Sequence, residues 1–380
     1  MPIAHEIQIQ SDALHSEAQA FIKGGSADAF DALALRIARF QARYIPPIAR
    51  LYQARGLSVE QAQSADALLA VPCDVFRLAR VCVHPPELDT RVFRTSGTSQ
   101  GVGARGEHAF RLSDTYAAAA LAWAKCMLFP DRSRMRTLLF APSSKQAPDS
   151  SLSFMLDLFA AELGGNSVSA MQAQSLDLGL IEAFCEQARA DGEAVLVLGT
   201  SFAFVHFLDA RREKGLEPSL GLPKGSRVMQ TGGFKGRSRS VEALVLRADL
   251  AAAFGVPESH VIGEYGMTEL SSQAYEGMLA AALSDKASRF RKEAKPGVYF
   301  TPPWMRISAA DPQSLMPLSP GEVGIARIVD LANIDSAVAI QTSDLVRCGE
   351  GWAELLGRAP GALPRGCSIA ADAMLGAAFS

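Results

Sequence analysis

Basic residues are not in excess in this sequence, and no long apolar run is present. Lysine and arginine number 37 against 40 aspartates and glutamates, a formal net charge of −3. No global electrostatic case for nucleic acid or an anionic membrane surface follows. The longest apolar run, residues 194–208, is broken by Gly199, Thr200, Ser201 and His206, so no membrane span is expected. Residues 1–10 hold no basic cluster followed by an apolar stretch, and no signal peptide is expected. The 6 cysteines lie far apart, without Cys-x-x-Cys or Cys/His spacing. Neither a structural zinc site nor a disulfide framework is expected, and reduced thiols in a cytoplasmic protein are the default. What remains is ordinary globular composition, 48% hydrophobic and 20% charged, enough for one large α/β domain or two modest ones.

Residues 11–60 read as helices, with apolar spacing at Phe30, Leu33, Leu35 and Ile37 and a breaker pair at Pro46-Pro47. Two β-like runs, Arg91 to Arg94 and His108 to Leu112, flank a Gly/Ser/Thr loop, and Ser113 or Asp114 would cap the helix after them. Strands and helices then alternate. Thr137 to Ala141 is a strand, and Ser151 caps a helix carrying Leu152, Met155, Leu156 and Phe159 that ends at Gly164-Gly165. Asp177 opens another helix, Ala194 to Leu198 is a strand, and Ser201 starts the next helix. Arg227 to Gln230 is a strand, Val241 to Phe254 a helix ended by Gly255, and Val261 to Glu264 a strand. Such alternation argues for a largely parallel sheet covered on both faces. Beyond about residue 295 shorter strands such as Val323 to Val329 suggest a β-rich subregion.

Four local patterns carry chemistry. Thr95-Ser96-Gly97-Thr98-Ser99-Gln100-Gly101, followed by Gly103, Arg105 and Gly106, lets hydroxyls and backbone N–H groups converge on phosphate oxygens. It is not a Walker loop, because no Gly-Lys-Ser/Thr ends it; a plain hairpin turn is the alternative. Gly263 to Glu269 stands at a strand's carboxyl end, where open α/β sheets bind ligands. Its hydroxyl and carboxylate suit a phosphate and a magnesium ion, or simply a strand-to-helix turn capped by Thr268. In Gln341-Thr342-Ser343-Asp344-Leu345, an aspartate can accept from two ribose hydroxyls, and the arginine of Gly357-Arg358 can reach a phosphate or ribose.

Taken in order and spacing, these four resemble the core motifs of the acyl-adenylate-forming superfamily, which contains acyl-CoA ligases, luciferases and peptide-synthetase adenylation domains. Pro320 to Gly324 is similar to its Gly-Glu-x-Gly turn. The segments Val71 to Phe76, Gly199 to Phe202, Thr231 to Arg237, Pro303-Trp304, Asp330 to Asn333 and Arg365 to Ser368 resemble the acyl-protein synthetase family. That family is the synthetase subunit of the bacterial bioluminescence fatty-acid reductase, and the similarity spans about residues 65 to 370. The fold it implies is α/β: a large adenylate-forming N-terminal domain with mostly parallel sheets and a small β-rich subregion, the C-terminal domain being truncated. It would occupy residues 1–357, with a helical part over about 1–65, leaving a short stub, 358–380, that carries Cys367.

The resemblance also implies roles. Thr95, Ser96, Gly97, Thr98 and Ser99 match the pyrophosphate-holding loop for ATP. Thr268 and Glu269 match the α-phosphate and Mg2+ positions, Tyr265 the residue beside adenine, Asp344 the ribose ligand and Arg358 the hinge-side arginine. Cys367 matches the cysteine that receives the acyl group. The chain departs from the superfamily in lacking the loop's Gly-x-Pro-Lys ending, for which Arg105 is a stand-in, and the late catalytic lysine, for which Lys235 is the candidate. Glu264 is expected to be structural. The implied activity is ATP-dependent activation of a carboxylic, chiefly fatty, acid as acyl-AMP, followed by transfer to a protein thiol and on to a reductase subunit or carrier protein. A ligase charging coenzyme A or phosphopantetheine, and a non-catalytic scaffold subunit, are the competing readings. Phe202, Phe204 and Phe207 are expected in the core, with an acyl pocket as the alternative.

Overall fold

The computed structural model describes residues 2–95, 105–172, 175–216, 219–232, 242–283, 288–359 and 374–375. Three helices open the chain: α1 (Pro2–Ile22), α2 (Phe30–Tyr44) and α3 (Pro46–Ala54). The apolar face of α2 is buried through Phe30, Leu33, Ile37 and Phe40. Pro46-Pro47 ends α2 and also opens α3, because proline fits the first helical positions where no N–H is needed. Gln41, buried on α2, donates to the carbonyls of Asn333 and Ile334 and accepts from the Val338 amide at 2.9 Å. The helical layer is thereby tied to a turn close to the candidate site.

The strands follow: β1 (Val71–Pro72), β2 (Arg91–Arg94), β3 (Glu107–Phe110), β4 (Met135–Phe140), β5 (Gly164–Ser169), β6 (Met171–Gln172), β7 (Ser175–Leu176) and β8 (Val195–Thr200). Next come β9 (Arg227–Thr231), β10 (Val261–Tyr265), β11 (Ala274–Glu276), β12 (Val298–Phe300), β13 (Met305–Ala310), β14 (Val323–Asp330), β15 (Ala339–Gly349) and β16 (Trp352–Arg358). Most join one 12-stranded sheet ordered β13-β14-β15-β16-β12-β11-β10-β9-β8-β4-β5, with β1 pairing in parallel to β15. From β5 to β10 the sheet is parallel; from β10 to β13 it is antiparallel. The β-rich subregion is therefore a continuation of the parallel sheet through β11. Among the described residues no helix is long and apolar enough to cross a membrane.

Helices α4 (Asp114–Met127) and α5 (Ser151–Glu162) cover one face of the parallel half. On the other face lie α6 (Leu178–Asp191), α7 (Ser201–Glu213) and α8 (Ala243–Phe254). The strands alternate accordingly: Leu196 and Leu198 of β8 join the first core, Val195 and Val197 the second. Phe204 and Phe207 pack with Phe140 and Phe254 in that second core. Asp177 caps α6 by accepting from the Leu180 amide, and Gly255 ends α8 in the left-handed region.

Some local expectations shift by a residue or more, the bounds of β3 and β4 among them. Ser150 rather than Ser151 caps α5, its hydroxyl accepting from the Ser153 amide at 3.1 Å. The helix of Val241 to Phe254 is described from Ala243. The helix α5 stops before Gly164-Gly165, as expected, and the pair then opens β5, pairing in parallel with β4. A Cβ at Gly164 would collide with the Ala160 carbonyl, so the pair allows α5 to turn straight into a strand.

Candidate functional site

Strands β2 and β3 form an antiparallel hairpin whose last pair is Arg94 with Glu107. Its neck is closed by Thr95 and Gly106: the Thr95 amide donates to the Gly106 carbonyl, and the Gly106 amide donates to Thr95 Oγ1 at 2.9 Å. Ser96, Gly97, Thr98 and Ser99 lie outside the described residues. Arg105 donates through Nε to the Thr95 carbonyl at 2.5 Å and through Nη1 to Asp149 at 2.6 Å. As a stand-in for the missing lysine it is already engaged in holding the neck.

A Cβ placed on Gly106 would stand 3.1 Å from Thr95 Cγ2, 3.3 Å from Arg77 Cγ and 3.5 Å from Glu269 Oε1. The hairpin thus meets the segment after β10 at Glu269. His108 fixes that meeting, its Nδ1 lying 2.8 Å from the Thr268 carbonyl. Burial pushes the His108 imidazole down to about 4, so the ring is neutral. The carbonyl can only accept, which places the ring hydrogen on Nδ1. The Glu269 carbonyl accepts from Asn333 Nδ2 at 2.8 Å. Asp330 holds the next residues, accepting from the Ser271 amide and the Ser272 hydroxyl. Wholly buried, its carboxyl is pushed up to about 6.

The second half of the site sits on the antiparallel strands. Asp344 and Arg358 face each other across β15 and β16, and Arg358 Nε donates to Asp344 Oδ1 at 3.1 Å. The Tyr265 hydroxyl donates to Asp344 Oδ2 at 2.8 Å, and the Asp344 amide donates to Thr342 Oγ1 at 3.0 Å. Each carboxylate oxygen keeps a free lone pair, so Asp344 can still accept from two ribose hydroxyls. Burial and the Asp344 charge push the Tyr265 phenol well up, keeping it a neutral donor.

Cys73 joins the two halves. Pairing of Val71 with Ile340 and of Pro72 with Gln341 carries it to β15. Burial and then the carboxylates of Glu269, Asp74 and Asp344 push its thiol well up. Tyr265, Asp344 and Arg358 thus stand together, as do Thr95, Gly106 and Glu269, and the Cys73 thiol is pushed up by carboxylates of both groups. Lys235 and Cys367 lie outside the described residues. Arg77, beside Gly106, was not singled out by the sequence patterns; its nearness to the loop arises only when the segment after β1 folds against the hairpin. A recess of about 450 Å³ outside the hairpin is lined by Arg77, Arg80, Arg94 and Arg105. These pair with Asp74, Asp89, Glu107 and Asp149, so it is no strong anion trap.

Among the described residues no group of three or more His, Cys, Asp or Glu side chains could hold a metal ion. The buried Glu269 suits magnesium, which is typically bound by one or two carboxylates together with waters and substrate phosphates.

The architecture, a mixed sheet with this arrangement at its strand ends, is the adenylate-forming ligase fold. The 2-hydroxyisobutyryl-CoA ligase in an open conformation with 2-HIB-AMP and CoA is similar at a TM-score of 0.59 and 15% identity, over 86% of this chain and 74% of that one. In its thioesterification state the same ligase gives 0.61 and 14% identity, over 88% and 69%. ATP-bound MatB from Rhodopseudomonas palustris gives 0.49 and 14% identity, over 70% of this chain and 47% of that one. The present chain thus matches about half the length of MatB. No known family profile matches the chain, and no curated protein matches it.

Proposed function

We propose that this protein activates a carboxylic acid, a fatty acid by its sequence resemblance, with ATP and Mg2+, and passes the acyl group to the thiol of Cys367. The observation that carries the reading is the bonded Tyr265–Asp344–Arg358 cluster, with Thr95 and Gly106 brought close to Glu269 in the same fold. The solved ligases of this fold include complexes with an acyl-adenylate and with CoA.

In the first step a carboxylate oxygen of the acid attacks the α-phosphorus of ATP, and the bond to the β-phosphate oxygen breaks, releasing pyrophosphate. Asp344 holds the ribose by accepting from its hydroxyls, with Tyr265 and Arg358 fixing the carboxylate's direction. Thr268, its backbone pinned by His108, donates its hydroxyl to the α-phosphate. Glu269 would hold magnesium, which supplies charge neutralisation on the phosphates. Thr95 and the loop hydroxyls after it donate to the pyrophosphate, and Lys235 is assigned the remaining positive charge. Catalysis of this kind is largely positioning and charge stabilisation. In the second step the Cys367 thiolate attacks the acyl carbon; the C–O bond to AMP breaks and AMP leaves, the thiol proton having passed to solvent. The thioester then serves a partner of the reductase-subunit or carrier-protein kind in the cytoplasm.

The test measures acid-dependent exchange of pyrophosphate into ATP, together with mass spectrometry of the acylated chain. Wild type should show both, and Cys367→Ser should keep exchange while losing thiol-labile acylation. Transfer to coenzyme A by Cys367→Ser at the wild-type rate would favour the coenzyme A ligase instead. Exchange absent across a broad acid panel would leave the scaffold reading.

A further inference from the structure

At the carboxyl end of β10 two neighbouring side chains go to different places. Tyr265 bonds Asp344, while Glu264 lies in a row with Thr231 of β9, its parallel partner, and Tyr275 of β11, its antiparallel partner. Gln273 stands just before β11. The row is polar yet buried: Glu264 is 7% exposed, Gln273 4% and Tyr275 0%. The Thr231 hydroxyl donates to Glu264, and Gln273 Nε2 donates to the Tyr116 oxygen of α4 at 3.4 Å.

Two atoms in this interior have no partner among the described residues, Gln273 Oε1 and the Tyr275 hydroxyl. A buried polar atom without a hydrogen bond costs about 1–3 kcal/mol, and native interiors retain few. Gly266 locates the row relative to the site. A Cβ there would stand 2.5 Å from Glu264 Oε1 and 3.6 Å from Gln273 Cγ. Glu264 and Gln273 therefore lie together directly beneath the turn that continues to Thr268 and Glu269. Carboxyl ends of parallel strands are where open α/β sheets take ligands.

We propose that this row is a subsite recognising a hydroxyl group on the acyl chain, so that the acid activated is a hydroxylated carboxylic acid. The inference rests on the acid-activation reading, which puts the reacting carboxylate beside Thr268. A hydroxyl donates one hydrogen bond and accepts another, which matches the open acceptor of Gln273 and the open donor of Tyr275. A plain alkyl chain would bury both atoms unpaired, and a site built to bond a hydroxyl rejects the analogue without it. An ammonium group could donate to Gln273 but could not accept from Tyr275.

The test is calorimetric binding to the full chain of straight-chain acids from butanoic to dodecanoic, each beside its singly hydroxylated and aminated isomers, with pyrophosphate exchange on the same acids. At least one hydroxylated isomer should bind about tenfold or more tightly than its parent acid. Tyr275→Phe should remove most of that advantage, and Gln273→Met should act alike. Tyr275→Phe loses only an unpartnered hydroxyl, so its melting temperature should equal or exceed that of wild type. The proposal is overturned if parent acids bind as well as every hydroxylated isomer, if the aminated isomers are preferred, or if Tyr275→Phe retains the preference. Hydroxyl-selective binding without exchange would uphold the subsite and reject the activation reading. Exchange without hydroxyl selectivity would do the reverse.

Discussion

The two sides of β10 are built on opposite terms. Toward the antiparallel strands, Tyr265, Asp344, Thr342 and Arg358 are bonded to one another. Toward α4, and among the described residues, Glu264 accepts from Thr231, while Gln273 and Tyr275 each keep an open atom. The first arrangement is a complete network that needs no ligand to hold its geometry, as preorganised sites do. The second is incomplete in the protein alone, and the ligand's own polar group would finish it. On the proposed reading, one strand end separates what must be the same for every turnover from what selects the acid.

The comparison breaks most visibly with pH. Burial pushes the Glu264 carboxyl up to about 7 from an ordinary 4.5, so the folded state holds this proton more tightly than the unfolded chain. Its stabilising contribution is complete below pH 4.5 and is lost as pH rises through 7. Glu264→Gln, which keeps a partner for Thr231, should therefore gain about 3 kcal/mol relative to wild type across that window. Urea unfolding at a series of pH values reads this directly, and parallel curves for the two proteins would contradict it.

On the bonded side, Asp344→Ala strands both Tyr265 and Arg358. It should lower kcat/KM for ATP about a hundredfold, the scale of losing hydrogen bonds to a charged group. Pyrophosphate exchange against ATP concentration measures it, and an unchanged ATP dependence would remove Asp344 from the nucleotide site. A smaller change is expected for Glu269→Gln: the magnesium concentration for half-maximal exchange should rise about tenfold, since the ion loses a charged ligand. An identical magnesium titration would free Glu269 from that role. The finest comparison sets two phenols against each other. Tyr265→Phe should lower stability by about 1 kcal/mol, whereas Tyr275→Phe should leave it unchanged or raise it by up to about 1 kcal/mol. Equal losses in thermal unfolding would mean that both sides of β10 are satisfied alike.

Much of the bonded side was legible from local pattern, because Thr95, Tyr265 to Glu269, Asp344 and Arg358 each stand in a short run whose chemistry is visible without the fold. The open side was not, since Glu264, Thr231, Gln273 and Tyr275 meet only through register across β9, β10 and β11. A hint was present in the polar Ser271-Ser272-Gln273 run leading into a buried strand. Strand–helix alternation found β4, β8, β9 and β10 correctly. It missed β5, because Gly164-Gly165-Asn166 has the chemistry of a helix stop. It also missed β15, because Gln341 to Asp344 interrupts the apolar pattern even though Gln341, Thr342 and Asp344 are buried. Their burial comes from β1 and the helical layer, which a local pattern does not show.

The pairing of β1 with β15 has a kinetic side as well. Val71 meets Ile340, and Pro72 meets Gln341, so a two-residue contact closes a long loop running from residue 71 to residue 340. Such distant contacts pay their closure entropy before they are rewarded and tend to form late. The parallel half, from β4 to β10, has its neighbours close in sequence and can collapse first. The Tyr265–Asp344–Arg358 cluster needs β15 and β16, which follow the parallel strands in the chain. During synthesis on a ribosome the cluster can therefore form only after the parallel sheet has emerged, and on the proposed reading a nascent chain lacking β15 should show no affinity for nucleotide even where that sheet has already formed.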